Sequence, residues 1–383
     1  MTRWIAAAGA FVVSLDSTAN VAFPAMTAAF AIPPESVRWV IIGYVFSYAI
    51  TSFVAGALAD RVGHGRVFRA GLALSAAAFL LAGIAPTFGW LLVARVLQGL
   101  GGGCVYGTVP GIVTLTATPE TRGRALGFLN AGMGLGFSAG PLVAGVLVGA
   151  FGWRSIFLVR LPLALMALAW AVSAMPPASA PAARLVAARD VFRAPVLLAG
   201  AQSFVANAAI FAIWLLAPFY LVASRGLSVL ATGALFTLTP LGTTLAAPVG
   251  GRLADRVGVR GPIVAGLAIE ALGLLLMSRC GPDTRLELVA LALLAAGFGV
   301  GLFQVTNMTQ IMAAFVTAQQ GAAGGFTFLS RTLGVVAGVT ALAQLVAVRR
   351  LAVGLGPAAA EAFFAAGITV ALAAAVAPLV RTR

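Results

Sequence analysis

Five ionisable side chains stand inside long apolar runs: Asp16, Arg95, Arg160, Glu270 and Arg331. An ionised group in hydrocarbon costs at least about 3 kcal/mol unless it is paired or wetted, so each needs a reason to be there. A carboxylate facing a guanidinium can bind and release a proton, with an affinity set by how closely the cation approaches. That is chemistry for coupling proton movement to another process, and bond cleavage needs more. Ser/His and paired-Asp sets at facing depths are missing, so no enzyme is expected. His64 is the sole histidine, which argues against a histidine-built metal site. Gly101-Gly102-Gly103 falls inside a helical run rather than after a strand, so it is no phosphate loop. No cofactor or metal is expected.

The elements that position these groups must cross a membrane. Of 383 residues, 61% are hydrophobic and 9% charged, against about 45–50% and about 25% in soluble domains. At about 20 residues per crossing, the chain holds roughly twelve helices. Breaks at Arg, Pro and Gly clusters place them near 5–30, 37–59, 66–86, 88–111, 122–150 and 155–174. The second set falls near 195–223, 229–253, 260–280, 286–312, 321–348 and 357–380. The N-terminal run carries Asp16 and precedes many more spans, so it reads as an uncleaved first crossing. Cys104 and Cys280 read as buried free thiols.

All 24 basic residues are arginine. With the N-terminus inside and alternating helices, the cytoplasmic loops hold 14 arginines and the outer loops 7, with Arg95, Arg160 and Arg331 within helices. The positive-inside rule then puts both termini in the cytoplasm of a cell inner (plasma) membrane. The net charge of +14 is an orientation signal in the lipid bilayer and does not imply nucleic acid. Gly56-Ala-Leu-Ala-Asp60-Arg61-Val62-Gly63 recurs as Gly251-Arg-Leu-Ala-Asp255-Arg256-Val257-Gly258, an offset of 195 residues. Two parallel halves follow: an N-terminal six-helix bundle over 1–174, a Pro/Ala/Arg-rich cytoplasmic linker over 175–194, and a C-terminal six-helix bundle over 195–383. The expected fold is all-α integral membrane, twelve transmembrane helices in two pseudo-symmetric bundles.

At the level of motifs the chain resembles the major facilitator superfamily over essentially its whole length. The repeated segment resembles that family's loop signature between the second and third helices. Leu92, Arg95, Gln98, Gly99 and Gly101 resemble its fourth-helix signature. Gly132, Gly136, Gly140, Pro141 and Gly145 resemble the fifth-helix antiporter signature. Leu15 through Pro24 resembles the first-helix signature of drug:proton antiporters, one residue shorter between Thr18 and Asn20 than usual. Gly63-His64-Gly65-Arg66 stands where two basic residues are usual.

The resemblance implies a central cavity lined by the first, fourth and eleventh helices, and alternating access. Helix rise arithmetic puts Asp16 roughly 18 Å into its helix and Arg95 roughly 10 Å into an opposed one, at similar depth. Asp16 and Arg95 are therefore the expected proton-coupling pair, with Asp16 also a contact for a cationic substrate. The alternative is a static buried pair. Asn20, Gln98, Tyr106, Gln202, Asn207, Trp214, Gln304, Asn307 and Arg331 are expected to line the substrate cavity, a few polar groups among apolar walls. Arg331 meets either an anionic substrate group or helix-end carbonyls. Arg160 is expected to snorkel to the outer headgroups. Glu270 reads as a structural acid at a helix contact or as a second proton carrier.

Conformational gating is expected from Gly56, Asp60, Arg61, Gly63, Arg66, Arg124, Asp255 and Arg256, with Asp60 meeting helix N-terminal amides or a nearby Arg. Gly136, Gly140 and Pro141 are expected to pack the fifth helix tightly against the other half. The reading is a proton-coupled antiporter, functional as a monomer, exporting small amphipathic organic compounds. The alternative is a metabolite, sugar or siderophore exporter, or a uniporter, of the same fold.

Overall fold

The computed structural model describes residues 1–32, 36, 38–175, 192–221, 225–227 and 229–377. Most of the linker expected over 175–194 lies outside the described residues. Among those residues there are helices and no strand. Ten segments are long and apolar enough to cross a membrane. Two further spans complete the expected twelve: one runs over Thr2–Phe30 in interrupted pieces, and the other holds Leu238–Val257, which has the length for a crossing but is less apolar.

The first interrupted span is the important one. It consists of α1 (Thr2–Ser14), a tight turn over Leu15–Ser17, α2 (Thr18–Val21) and α3 (Phe23–Phe30). Its hydroxyls explain the break. Ser14 Oγ donates to Ala10 O at 2.8 Å and Thr18 Oγ1 to Leu15 O at 2.7 Å. Such local bonds compete with the helical ladder and bend it. The break falls on Asp16.

The remaining helices of the first half are α4 (Arg38–Val62), α5 (His64–Gly83), α6 (Phe88–Leu115), α7 (Arg122–Phe151), α8 (Ser155–Leu158) and α9 (Arg160–Ala174). Helix α6 starts at Thr87, whose side chain accepts from Trp90 N at 3.2 Å, satisfying an otherwise orphaned amide. The α8–α9 break precedes Pro162, which cannot donate to Leu158 O. The second half comprises α10 (Ala194–Phe219), α11 (Val229–Phe236), α12 (Leu238–Val257), α13 (Arg260–Ser278), α14 (Leu286–Ala313), α15 (Gln320–Val353) and α16 (Leu355–Val376). The second interrupted span is α11 with α12.

Small residues set the helix spacing. On α6, Gly99, Gly103 and Gly107 recur every fourth residue and face the α4 backbone at Tyr44, Tyr48 and Ser52. Gly101 faces α5 at Ser75 and Gly71, so the triglycine is a packing device, as its place in a helix required. On α14, Gly297 and Gly301 approach Thr239 and Thr243 of α12 in the same way. Gly63 (φ 98°) and Gly258 (φ 81°) hold the left-handed turns after α4 and α12, which a residue with Cβ adopts only at a cost. Gly63, one of the residues expected to take part in gating, holds the turn between α4 and α5.

The chain forms two compact units. One comprises Met1–Pro119, Gly132–Val191 and Phe315–Leu329; the other comprises Glu120–Ala131, Phe192–Ala314 and Ser330–Arg383. Each unit includes a short piece from the opposite half of the sequence. In the first unit that piece is the start of α15; in the second it is the start of α7.

Candidate coupling site and helix docks

Asp16 sits at the centre of a buried ion cluster in the first unit. Arg95 of α6 grips it with two parallel bonds, Nη1 to Oδ1 at 2.6 Å and Nη2 to Oδ2 at 2.9 Å. Gln98, one helical turn on, donates Nε2 to Oδ1 at 2.7 Å and accepts from Arg95 Nη1 at 2.7 Å. Arg95 Nε donates to Val40 O of α4 at 3.0 Å, and its guanidinium lies 4.4 Å from the Tyr44 ring centroid. A planar fork with several donors suits this work better than an ammonium would. The expected Asp16–Arg95 meeting is therefore present, and Gln98 belongs to the cluster.

Arg160 departs from its expected place. It is 0% exposed and does not reach outward. Its Nη1 donates to Asp16 Oδ1 at 3.0 Å, and Nη2 reaches Val13 O at 3.3 Å and Val12 O at 3.4 Å. Those carbonyls are available because α1 ends at Ser14. Its guanidinium lies 4.2 Å from the Phe79 ring centroid. Snorkelling failed as an expectation because the break in the first span supplies both a carboxylate and freed carbonyls, a better solvation than the distant headgroups. The cluster holds one carboxylate and two guanidiniums.

The other expected cavity residues divide between the units. In the first, Tyr106 OH pairs with Ser14 Oγ at 2.9 Å, and its ring stacks on Phe328 at 4.9 Å and meets Tyr48 edge-on at 5.4 Å. Asn20 and Pro141 lie outside the residues whose side chains are described. In the second, Arg331 of α15 donates to Gln304 Oε1 and to Asn130 Oδ1, the latter at 3.4 Å. Gln304 Nε2 continues to Asn207 Oδ1 at 3.1 Å. Trp214 packs among Phe211 and Phe236. Asn307 donates to Ala199 O at 3.0 Å, an interhelical tie. Gln202 is buried. Glu270 of α13 is 0% exposed, and neither of its carboxyl oxygens has a hydrogen-bond partner among the described residues.

The repeated motif builds the same device twice. In the first unit, Asp60 at the end of α4 accepts from Gly321 N at 2.8 Å and Ala322 N at 2.9 Å, the first amides of α15. In the second, Asp255 at the end of α12 accepts from Gly123 N at 2.7 Å and Arg124 N at 2.8 Å, the first amides of α7. Each carboxylate satisfies orphan donors and meets the positive end of a helix dipole. The motif's leading glycine makes the approach possible: a Cβ on Gly56 would fall on Gly321 O, and one on Gly251 on Gly123 O. His64 Nε2 adds a 3.3 Å contact to Asp60 Oδ1 in the first dock only.

Of the other expected gating residues, Arg61, Arg66, Arg124 and Arg256 are exposed. Arg66 Nη1 bonds Val62 O at 3.2 Å, and Arg124 contributes its backbone amide. Gly136 and Gly140 pack on the first span, at Ser14 and Ser17. The close approach across the sequence halves expected of α7 is made instead by Gly123 and Gly127, against α12. These two glycines and Gly321 went unnoticed because one glycine per contact leaves no periodic signal.

Replacing Asp60 with Asn keeps one acceptor and loses the charge. A charge-assisted bond is worth about 1.5–3 kcal/mol, so the melting temperature in detergent is expected to fall by about 2–4 °C per kcal/mol lost. The Asp255→Asn effect is expected to be smaller, since Asp255 is less buried. An Asp60→Asn protein as stable as the wild type would contradict the dock.

The family model for the Major Facilitator Superfamily matches residues 5–339. The chain belongs to that superfamily. It is a multi-pass membrane transporter and acts on small molecules rather than catalysing their conversion. The riboflavin transporter RibZ of Clostridioides difficile is 26% identical over 94% of this chain and 87% of its own length. The multidrug resistance protein Stp of Mycobacterium tuberculosis is 28% identical over 88% of this chain and 74% of its own. The tetracenomycin C resistance and export protein of Streptomyces glaucescens is 26% identical over 90% and 75%. Among solved structures, the Escherichia coli fucose:proton symporter FucP superposes with a TM-score of 0.77 at 16% identity, covering 100% of this chain and 98% of that one. At that identity the likeness concerns the fold alone. It agrees with the twelve-helix superfamily architecture.

Proposed function

We propose that this transporter is a proton-coupled antiporter that exports small amphipathic organic compounds by alternating access. The observation that carries the reading is Asp16, held at a break in the first span by Arg95, Gln98 and Arg160. The four bonds tie the first span to α6 and α9. A proton on Asp16 would place an O–H donor where an acceptor had faced the guanidinium donors, and so loosen that tie. Facing out, Asp16 takes the proton; facing in, it releases the proton. The released state re-forms the cluster, and substrate binds in that state.

The halves 1–174 and 195–383, joined by the cytoplasmic linker 175–194, rock against each other in this cycle. The α4–α15 and α12–α7 docks lie at the cytoplasmic ends and part when the cavity opens inward. The protein works as a monomer in the inner (plasma) membrane, with both termini cytoplasmic and with no nucleic-acid partner. Resistance and export proteins among the relatives support drug export. A riboflavin transporter among them favours a second reading, movement of a metabolite by the same fold.

The test is a transport screen of drugs and metabolites in proteoliposomes under an imposed pH gradient. Wild type is expected to move at least one compound with the gradient and Asp16→Asn none. Transport by wild type that ignores the gradient would make the protein a uniporter.

A further inference from the structure

The coupling cluster has an excess positive charge. It contains one carboxylate and two guanidiniums, and Arg95 and Arg160 are the charged side chains acting on Asp16. Arg95 is 1% and Arg160 0% exposed, so the unbalanced charge is screened much less than a surface charge would be. The Asp16 carboxylate is the member that reaches accessible surface, its side chain 12% exposed. It already accepts four hydrogen bonds, three on Oδ1 and one on Oδ2. A carboxylate offers about four acceptor sites.

A cationic substrate would therefore meet a carboxylate with one acceptor site left, on Oδ2, in the field of an uncompensated guanidinium. To ligate Asp16 through more than that site it would have to displace Arg95, Gln98 or Arg160, and either arginine would then be left buried without its counterion. Asp16 is on this account a poor contact for a cationic substrate.

We propose that the transporter selects uncharged amphiphiles and rejects organic cations, with Arg160 as the residue that sets this selectivity. The inference rests on the transport reading above. Proton and substrate then meet the protein at separate points and exclude each other through the conformation of the first span.

The test is equilibrium binding to the full-length protein in detergent at fixed pH, with no gradient. Riboflavin and chloramphenicol serve as uncharged probes, ethidium and tetraphenylphosphonium as cations. Wild type is expected to bind at least one uncharged probe at least tenfold more tightly than either cation. Arg160→Gln removes the excess charge and is expected to raise the affinity ratio of cation to uncharged probe at least tenfold. Asp16→Asn deepens the excess and is expected to lower that ratio, which keeps the test alive if Arg160→Gln fails to fold. Cations bound as tightly as the best uncharged probe, a ratio unmoved by both variants, or no binding of any uncharged probe would overturn the inference. Gradient-driven ethidium export would refute it while leaving antiport standing. The expected selectivity without gradient-driven transport would do the reverse.

Discussion

Arg95→Met is expected to be the most damaging single change in the coupling site. It removes both grips on Asp16, the bond to Gln98 and the bond to Val40 O. Breaking a buried pair by deleting one partner costs about 3–5 kcal/mol. The melting temperature should fall by several degrees, and gradient-driven transport should drop below detection. The triple variant Asp16→Asn, Arg95→Gln, Arg160→Gln distinguishes a working cluster from a static one. It replaces all three charges by amides and leaves no guanidinium buried without its counterion, so much of the lost stability should return, since buried ion clusters replaced as a unit are often near neutral. Transport should stay absent. If the triple variant recovered transport along with stability, the cluster would be only a helix tie.

Gly56→Val is the second large effect. The added Cβ would fall on Gly321 O, with Gly107 O 3.1 Å away on the other side. Both obstacles are backbone, so neither can step aside, and α4 and α15 must separate by more than a rotamer change. Overpacking of this kind costs about 1–3 kcal/mol, and the separation also pulls Asp60 from Gly321 N and Ala322 N. On the proposed alternating-access cycle this removes the closed state of one dock. A cysteine placed on the α15 side of that dock should react with a membrane-impermeant maleimide from the cytoplasmic face at least tenfold faster than in the Gly56 background. Equal rates would show that the dock does not gate access.

Much of this was legible from residue types. The 195-residue repeat located both docks, because an aspartate at the end of one helix is a ready acceptor for the N-terminal amides of another. The Asp16–Arg95 meeting followed from depth arithmetic on opposed helices. What the sequence left hidden depends on breaks in regular structure. The turn at Leu15–Ser17 arises from Ser14 and Thr18 back-bonding, and neither residue is a strong breaker. Yet that turn frees Val12 O and Val13 O and brings Asp16 to Arg160, so an arginine that looked peripheral became part of the site. The glycines at the helix starts, Gly123 and Gly321, take their meaning from partners more than 100 residues away. Their own neighbours carry no sign of the contact.

The central claim is that Asp16 carries the proton that drives transport. Proteoliposomes loaded with a pH-sensitive dye, given the compound that the transport screen identifies, test it most directly. Wild type should move protons in the direction opposite to the compound when the compound is added, and Asp16→Asn should move none. Substrate-linked proton movement of wild-type size through the Asp16→Asn protein would contradict the account.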